Sequence, residues 1–179
     1  MKKAVLTYGL IGGGLIMIFT FVIATLCRKE IISIERADLV GYAAMMIAAS
    51  MIFFGIRSYR DNYTGGSITF WKGVQVGLLI TCIASVMYIA GGELHNVLYP
   101  DFAPKVMEKF TESEMNRLRQ EGASQGEIDQ AVQQTADIKK MMDNPLFHVS
   151  LYLIELLPVG LIITILSAAL LRRREVLPA

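Results

Sequence analysis

Charge is scarce in this chain. Asp, Glu, Lys and Arg make up 18% of its 179 residues, below the roughly 25% of soluble domains. The two signs nearly cancel, at a formal net charge of +1. No basic excess points to nucleic acid, and no acidic excess points to a solvating tail. Cysteine is almost missing too. Cys27 and Cys82 are the two present, and a disulfide framework of the kind that holds small secreted domains is excluded. Both read as inert thiols. Catalytic signatures are also lacking. There is no H-E-x-x-H, no G-x-S-x-G and no C-x-x-C, and no nucleophile–base–acid set to activate a reacting group. No catalytic residue, metal or cofactor is therefore expected. An enzyme acting on lipid has no motif behind it.

What the chain does have is apolar residues, 54% of the total with a mean hydropathy of +0.47. Their distribution matters more than their number. They form four blocks: Ala4–Cys27, Leu39–Ile56, Gly73–Gly92 and about Leu146–Leu171, the last interrupted only by His148 and Glu155. At about 1.5 Å rise per residue, the first block reaches roughly 36 Å as a helix, more than the roughly 30 Å hydrocarbon core. Inside lipid the backbone must satisfy its own hydrogen bonds, so each block should be a helix. Barrel strands need only about ten alternating residues and do not fit. The first block is too long for a secretory h-region and no A-x-A-like site follows it. Leu26 stands where a lipoprotein cleavage site before Cys27 would need a small residue. It reads as a retained span.

The expected fold is all-α: a four-transmembrane-helix bundle, one membrane domain over 1–179, with an external helical insertion at 93–145. Basic residues collect on the cytoplasmic side of membrane proteins. Lys2 and Lys3, then Arg57, Arg60 and Lys72 against Asp61, then Arg172, Arg173 and Arg174 against Glu175, all vote for one side. Loop 28–38 is balanced, and 93–146 carries more acids than bases. Both termini are thus expected in the cytoplasm, and an even number of spans likewise requires the two ends to share a side.

The insertion reads as a helical hairpin. Thr111-x-x-Glu114 and Ser124-x-x-Glu127 both match the capping box, and Gly122 suits a helix stop between them. Met107, Phe110, Met115 and Leu118, then Ile128, Val132, Thr135, Ile138 and Met142, form one-sided apolar stripes. Asn144-Pro145 closes the second helix before the fourth span. The stripes would face each other or the bilayer surface. The hairpin either caps the bundle or docks a partner.

Small residues mark how the spans pack, since helices in lipid associate by close approach and polar contact. Gly73, Gly77, Thr81 and Ser85 fall at steps of four. Gly9-x-x-x-Gly13 is flanked by Gly12 and Gly14, and the second span carries Ala43, Ala44, Ala48 and Ala49.

Glu155 is the leading functional candidate. It sits about nine residues into the fourth span, roughly 13 Å from its outer end. An acid at that depth usually faces the bundle or a wet cavity. No lysine or arginine lies inside any block. The neutral acid is therefore the cheaper form there, with Ser85, Tyr88 or Thr20 as hydroxyl partners. Pro158, three residues on, removes a backbone hydrogen bond and can kink the helix. An acid beside a kink is the local pattern of transporters with broken helices. His95, His148 and Glu93 gather near the outer face, but their spacing is no ligand motif and they read as interfacial anchors. The loop Arg57–Lys72 sets aromatic beside basic residues, which suits the headgroup layer. Gly65-Gly66 allows a tight turn with positive φ. Arg57, Arg60, Asp61, Gly65 and Gly66 could cradle an anionic headgroup.

Three stretches carry a family resemblance: YRDNYTGGSITFWKGVQVGLLIT at 59–81, YPDF at 99–102, and ELLPVGLIITILSAALLRRR at 155–174. With R-D-x-x-x-G-G before one span and E-x-x-P-x-G in another, the chain resembles the domain of unknown function 4199 family. The resemblance implies a multi-pass protein of the bacterial inner membrane. It marks Arg60, Asp61, Gly65, Gly66, Glu155, Pro158 and Gly160 as pattern positions and supplies no activity. The leading expectation is a non-enzymatic membrane protein acting through the lipid bilayer, a second copy or another membrane protein. The alternative is a subunit of a small proton- or ion-linked transporter using Glu155.

Overall fold

A computed structural model describes residues 1–142 and 144–173, apart from the side chains of Ile34, Glu35, Asp38 and Pro145. Asp143, Arg174 and Glu175, counted above in the charge pattern, lie outside the described residues. Six helices and no strand occur among the described residues: α1 Lys2–Arg28, α2 Ile34–Tyr63, α3 Phe70–Leu98, α4 Phe102–Gln120, α5 Gln125–Met141 and α6 Pro145–Leu171. Four are long and apolar enough to cross a membrane: Lys2–Arg28, Leu39–Tyr63, Phe70–Leu98 and Leu146–Leu171. The expected all-α four-span bundle is the fold, and the protein is membrane-embedded.

The helices outlast the apolar blocks. α2 runs on through Arg57, Arg60 and Asp61 to Tyr63, and α3 runs from Phe70 to Leu98. A charged residue marks the edge of hydrocarbon, whereas a helix ends only where its backbone turns. The turn after α2 comes at Gly65 and Gly66, whose φ values of 60° and 87° are in the left-handed region that glycine adopts freely.

Within the bundle, α1 lies against α2 and α3, and α6 lies against α3 and α2. Met1, Tyr59, Ile68 and Leu171 gather in one cluster, so the N-terminus, the α2–α3 loop and the end of α6 lie at one end of the bundle. Ile68 and Arg173 exchange backbone hydrogen bonds at 3.0 Å each, tying that loop to the chain beyond α6. At the opposite end, Lys109 of α4 pairs with Glu30 at 3.2 Å, and the Arg28 guanidinium lies 3.9 Å over the Tyr99 ring.

Helices close this tightly because glycine leaves room for a neighbour. A Cβ at Gly13 would come within 2.7 Å of Met87, one at Gly9 within 2.8 Å of Ile83, and one at Gly73 within 3.0 Å of Ala168. Gly14 has nothing within 4 Å. Ala44, Ala48 and Ala49 are buried while Ala43 faces out.

The hairpin follows the sequence in most respects. Gly122, at φ 75°, ends α4, and α5 opens with the Ser124–Glu127 capping box. Thr111 is a correction. It lies inside α4, where its hydroxyl donates to the Met107 carbonyl at 2.7 Å. A threonine hydroxyl satisfied four residues back leaves no reason for a helix start there. Asn144-Pro145 also does more than close a helix. Asn144 Oδ1 accepts from the Leu146 amide at 3.0 Å and Pro145 takes the first turn, so the pair starts α6. The stripes only partly face each other: Met115 is buried and Met142 half-buried, but Phe110, Val132 and Ile138 stay exposed.

The capping box gives a pH prediction. The Ser124 amide and hydroxyl donate to the Glu127 carboxylate at 2.7 and 2.8 Å, holding that carboxyl below the usual range. A depressed acid adds stability that is complete above the ordinary value of 4.5 and fades as pH falls through the folded one. Amide protection at Glu127 and Ile128, corrected for intrinsic exchange, should fall on acidification. Ser124→Ala should weaken it at neutral pH and flatten the acid response. Hydrogen exchange checks this, and protection independent of pH in the native chain would contradict it.

Candidate functional site

The fourth span is apolar all round, so small side chains decide which face turns inward. Leu156, Gly160, Thr164, Ser167 and Ala168 of α6 are buried. Gly160 lets Thr81 of α3 pack directly on the α6 backbone, and Thr164 does the same at Gly77. Glu155 precedes Leu156, and one residue rotates a side chain by about 100° around a helix. Glu155 is consequently exposed on the bundle's outer surface, as is Pro158. The expectation that an intramembrane acid faces the bundle interior is corrected here: the smooth stripe takes the inward face and the acid is left outside it.

One of the three hydroxyls suggested as partners reaches it. Tyr88 of α3, itself buried, donates to Glu155 Oε2 at 2.7 Å. Ser85 and Thr20 instead return their hydroxyls to their own helices, at the carbonyls of Thr81 and Ile16. The Tyr152 ring stands edge-on to Tyr88 with centroids 5.2 Å apart, and Asn96 Nδ2 approaches Tyr152 Oη at 3.5 Å. Asn96 and Tyr152 were not singled out in the sequence. No local sequence pattern marks them, since Tyr152 packs on Gly92 of a different helix. α6 runs unbroken through Pro158. The missing proline N–H still leaves the Ile154 carbonyl without its helix donor.

The histidines do not converge. His148 Nδ1 and Glu93 Oε1 come to 3.5 Å, while His95 is enclosed by the rings of Phe21, Tyr99 and Phe102. Among the described residues no group of three or more His, Cys, Asp and Glu could hold a metal ion.

At the other end of the bundle the pattern residues form a clasp. Arg60 Nε meets Asp61 Oδ1 at 2.7 Å, and Arg60 Nη1 approaches the Leu171 carbonyl, at the end of α6, at 3.5 Å. A cation suits the negative end of a helix dipole. The Gly66 amide and the Thr64 hydroxyl both donate to the Arg60 carbonyl, at 3.0 and 2.9 Å. Arg60 is thus committed inward, whereas the Arg57 side chain is 57% exposed and lies 3.6 Å from Asp61. Gly65 and Gly66 shape the turn that closes the clasp.

A void of about 20 Å³, lined by Gly12, Ala48, Thr81 and Leu156 among others, lies where the four spans meet. It admits about one water.

A close-packed bundle of four spans, with one acid turned outward and a charged hairpin joining its last two spans, defines a multi-span membrane protein. Residues 7–173 match the family model described as protein of unknown function (DUF4199), and the chain belongs to that family. No curated protein and no solved structure matches it.

Proposed function

We propose that this protein works without catalysis, by binding a partner or lipid inside the bilayer at the α6 face that carries Glu155. Its setting is the bacterial inner membrane, with both termini in the cytoplasm, in keeping with the basic residues at the shared end. The observation that carries this reading is the outward position of Glu155, exposed at the side of α6 away from its buried residues Leu156, Gly160 and Thr164. Hydrocarbon offers no hydrogen-bond donor to such a group, so a molecule other than a lipid chain is needed to complete it. The exposed apolar stripe of the hairpin offers a second contact surface.

A photoreactive residue at Ile154, 69% exposed, tests this in native membranes. Adducts should form there with a discrete partner. A probe at Val86, 66% exposed on α3, should give a diffuse lipid signal. Diffuse labelling from both positions would remove the basis for the proposal.

Pro158 supports a second reading. The Ile154 carbonyl, which lacks its i+4 helix donor, and the Glu155 carboxyl set two acceptor oxygens near one another in sequence, the local chemistry of a proton or cation site. On that reading the protein is a subunit of a proton- or ion-linked transporter whose pathway runs between copies. Glu155→Gln would then keep the fold and abolish proton or cation flux in proteoliposomes.

A further inference from the structure

We propose that two copies of this chain associate in the membrane through the outward face of α6, with Glu155 of one copy paired to Glu155 of the other. This rests on the reading of that face as a binding surface and names its occupant.

Leu151, Glu155, Pro158, Ile162 and Ile165 are all exposed. They follow one another at steps of four and three, the spacing of a helix–helix seam. The buried residues Leu156, Gly160 and Thr164 lie on the opposite side of α6. Lipid tails could cover four of the five seam positions as well as a helix could. They cannot cover the fifth. Among the described residues Tyr88 supplies the hydrogen bond to the carboxyl, and it uses Oε2.

A second copy answers this need with nothing added. The four apolar blocks contain no lysine or arginine that could serve as a cation at the depth of Glu155. A carboxyl that holds a proton both donates and accepts. It is therefore self-complementary across a two-fold axis, where each residue meets its own equivalent. An axis along the membrane normal puts the two Glu155 side chains at equal depth, where one or two protons held between them satisfy both outward oxygens. Pro158, next on the seam, is short and lets the backbones approach. A foreign helix would have to bring a matching donor to the same depth.

The full chain with Cys27→Ala and Cys82→Ala, carrying Ile162→Cys or Val86→Cys, tests the proposal by disulfide crosslinking in native membranes. Ile162→Cys should form a dimer and Val86→Cys about tenfold less. Adding Glu155→Leu should reduce the Ile162→Cys dimer about tenfold. Glu155→Gln should retain it, because an amide also donates and accepts. Unchanged thermal stability in Glu155→Leu separates lost association from lost folding. If that variant unfolds, Tyr88→Phe with Glu155→Leu, which leaves no hydroxyl stranded, takes its place with the same expected loss. Equal crosslinking at both positions, or insensitivity to Glu155→Leu, overturns the pairing. Adducts of Ile162→Cys only with another protein overturn the second copy and leave the binding reading standing. An absence of adducts at Ile162, together with diffuse labelling from Ile154, removes both.

Discussion

Gly77→Leu should be the most damaging single substitution in the bundle, while Gly14→Leu, the same change one helix away, should be nearly silent. A Cβ at Gly77 would lie 2.6 Å from the Thr164 methyl, 2.8 Å from its hydroxyl and 3.1 Å from Ile56 Cδ1. Thr164 and Ile56 are fully buried and have no open space to move into. Thr164 Oγ1 is buried and has no hydrogen-bond partner among the described residues, so a side chain pressed against it adds contact without satisfying it. The helices must part. Overpacking a close-packed interior typically costs about 1–3 kcal/mol, and Leu at Gly77 belongs at or above the top of that range. A protein stable by only about 5–15 kcal/mol notices this. At Gly14 an added Cβ meets nothing within 4 Å, so the change should stay within about 0.5 kcal/mol. Thermal unfolding in a mild detergent, followed by circular dichroism, reads both. Equal midpoints for the two variants would mean that α3 and α6 do not pack as described.

The same contact shows why the fold is legible in the sequence. A bilayer permits few structures, so four long neutral blocks were enough to give four helices. Gly73, Gly77 and Thr81 then named the face of α3 that meets α6, because close approach in lipid leaves that mark in sequence. Helix ends were harder. Arg57 and Lys72 bound the apolar runs, yet α2 and α3 extend past them, since charge reports the edge of hydrocarbon and not the end of hydrogen bonding. Thr111-x-x-Glu114 has the letters of a capping box inside a continuous helix. Only the chain before it, turning at Tyr99–Asp101, decides where α4 begins.

The candidate site was legible as a residue and not as an orientation. Glu155 stood out because acids are rare in spans. Its direction depends on which neighbours turn inward, and an all-apolar helix carries no polar face to show that. Gly160, Thr164 and Ala168, at steps of four, were the signal, and Glu155 lies off their line. The role of Arg60 was hidden for a different reason. Its partner, the Leu171 carbonyl, is 111 residues away in sequence. No local pattern could distinguish a side chain that caps a distant helix from one that awaits a phosphate.

The pair of Tyr88 and Glu155 should show a modest and mutual coupling. Tyr88→Phe leaves Glu155 without the donor seen at 2.7 Å. Glu155→Leu leaves a buried phenol, 8% exposed, without its acceptor. Either change strands a polar group, at about 1–3 kcal/mol. The double variant strands neither, so its loss should be smaller than the sum of the two. Interhelical hydrogen bonds in membrane proteins are worth about 0.6 kcal/mol on average and up to roughly 1.7, and the coupling here should fall near the upper figure because the tyrosine is buried. Reversible unfolding of the four chains in mixed micelles gives the double-mutant cycle directly. A coupling near zero would show that the contact at 2.7 Å contributes nothing to the fold. A coupling of several kcal/mol would show that the bundle needs its acid for stability, and the case for Glu155 as a binding group would weaken accordingly. The value between them is what a working residue on a close-packed bundle should give. Tyr88 then holds the carboxyl in place, its second oxygen stays available, and the energy that justifies an acid in hydrocarbon comes from whatever docks against it.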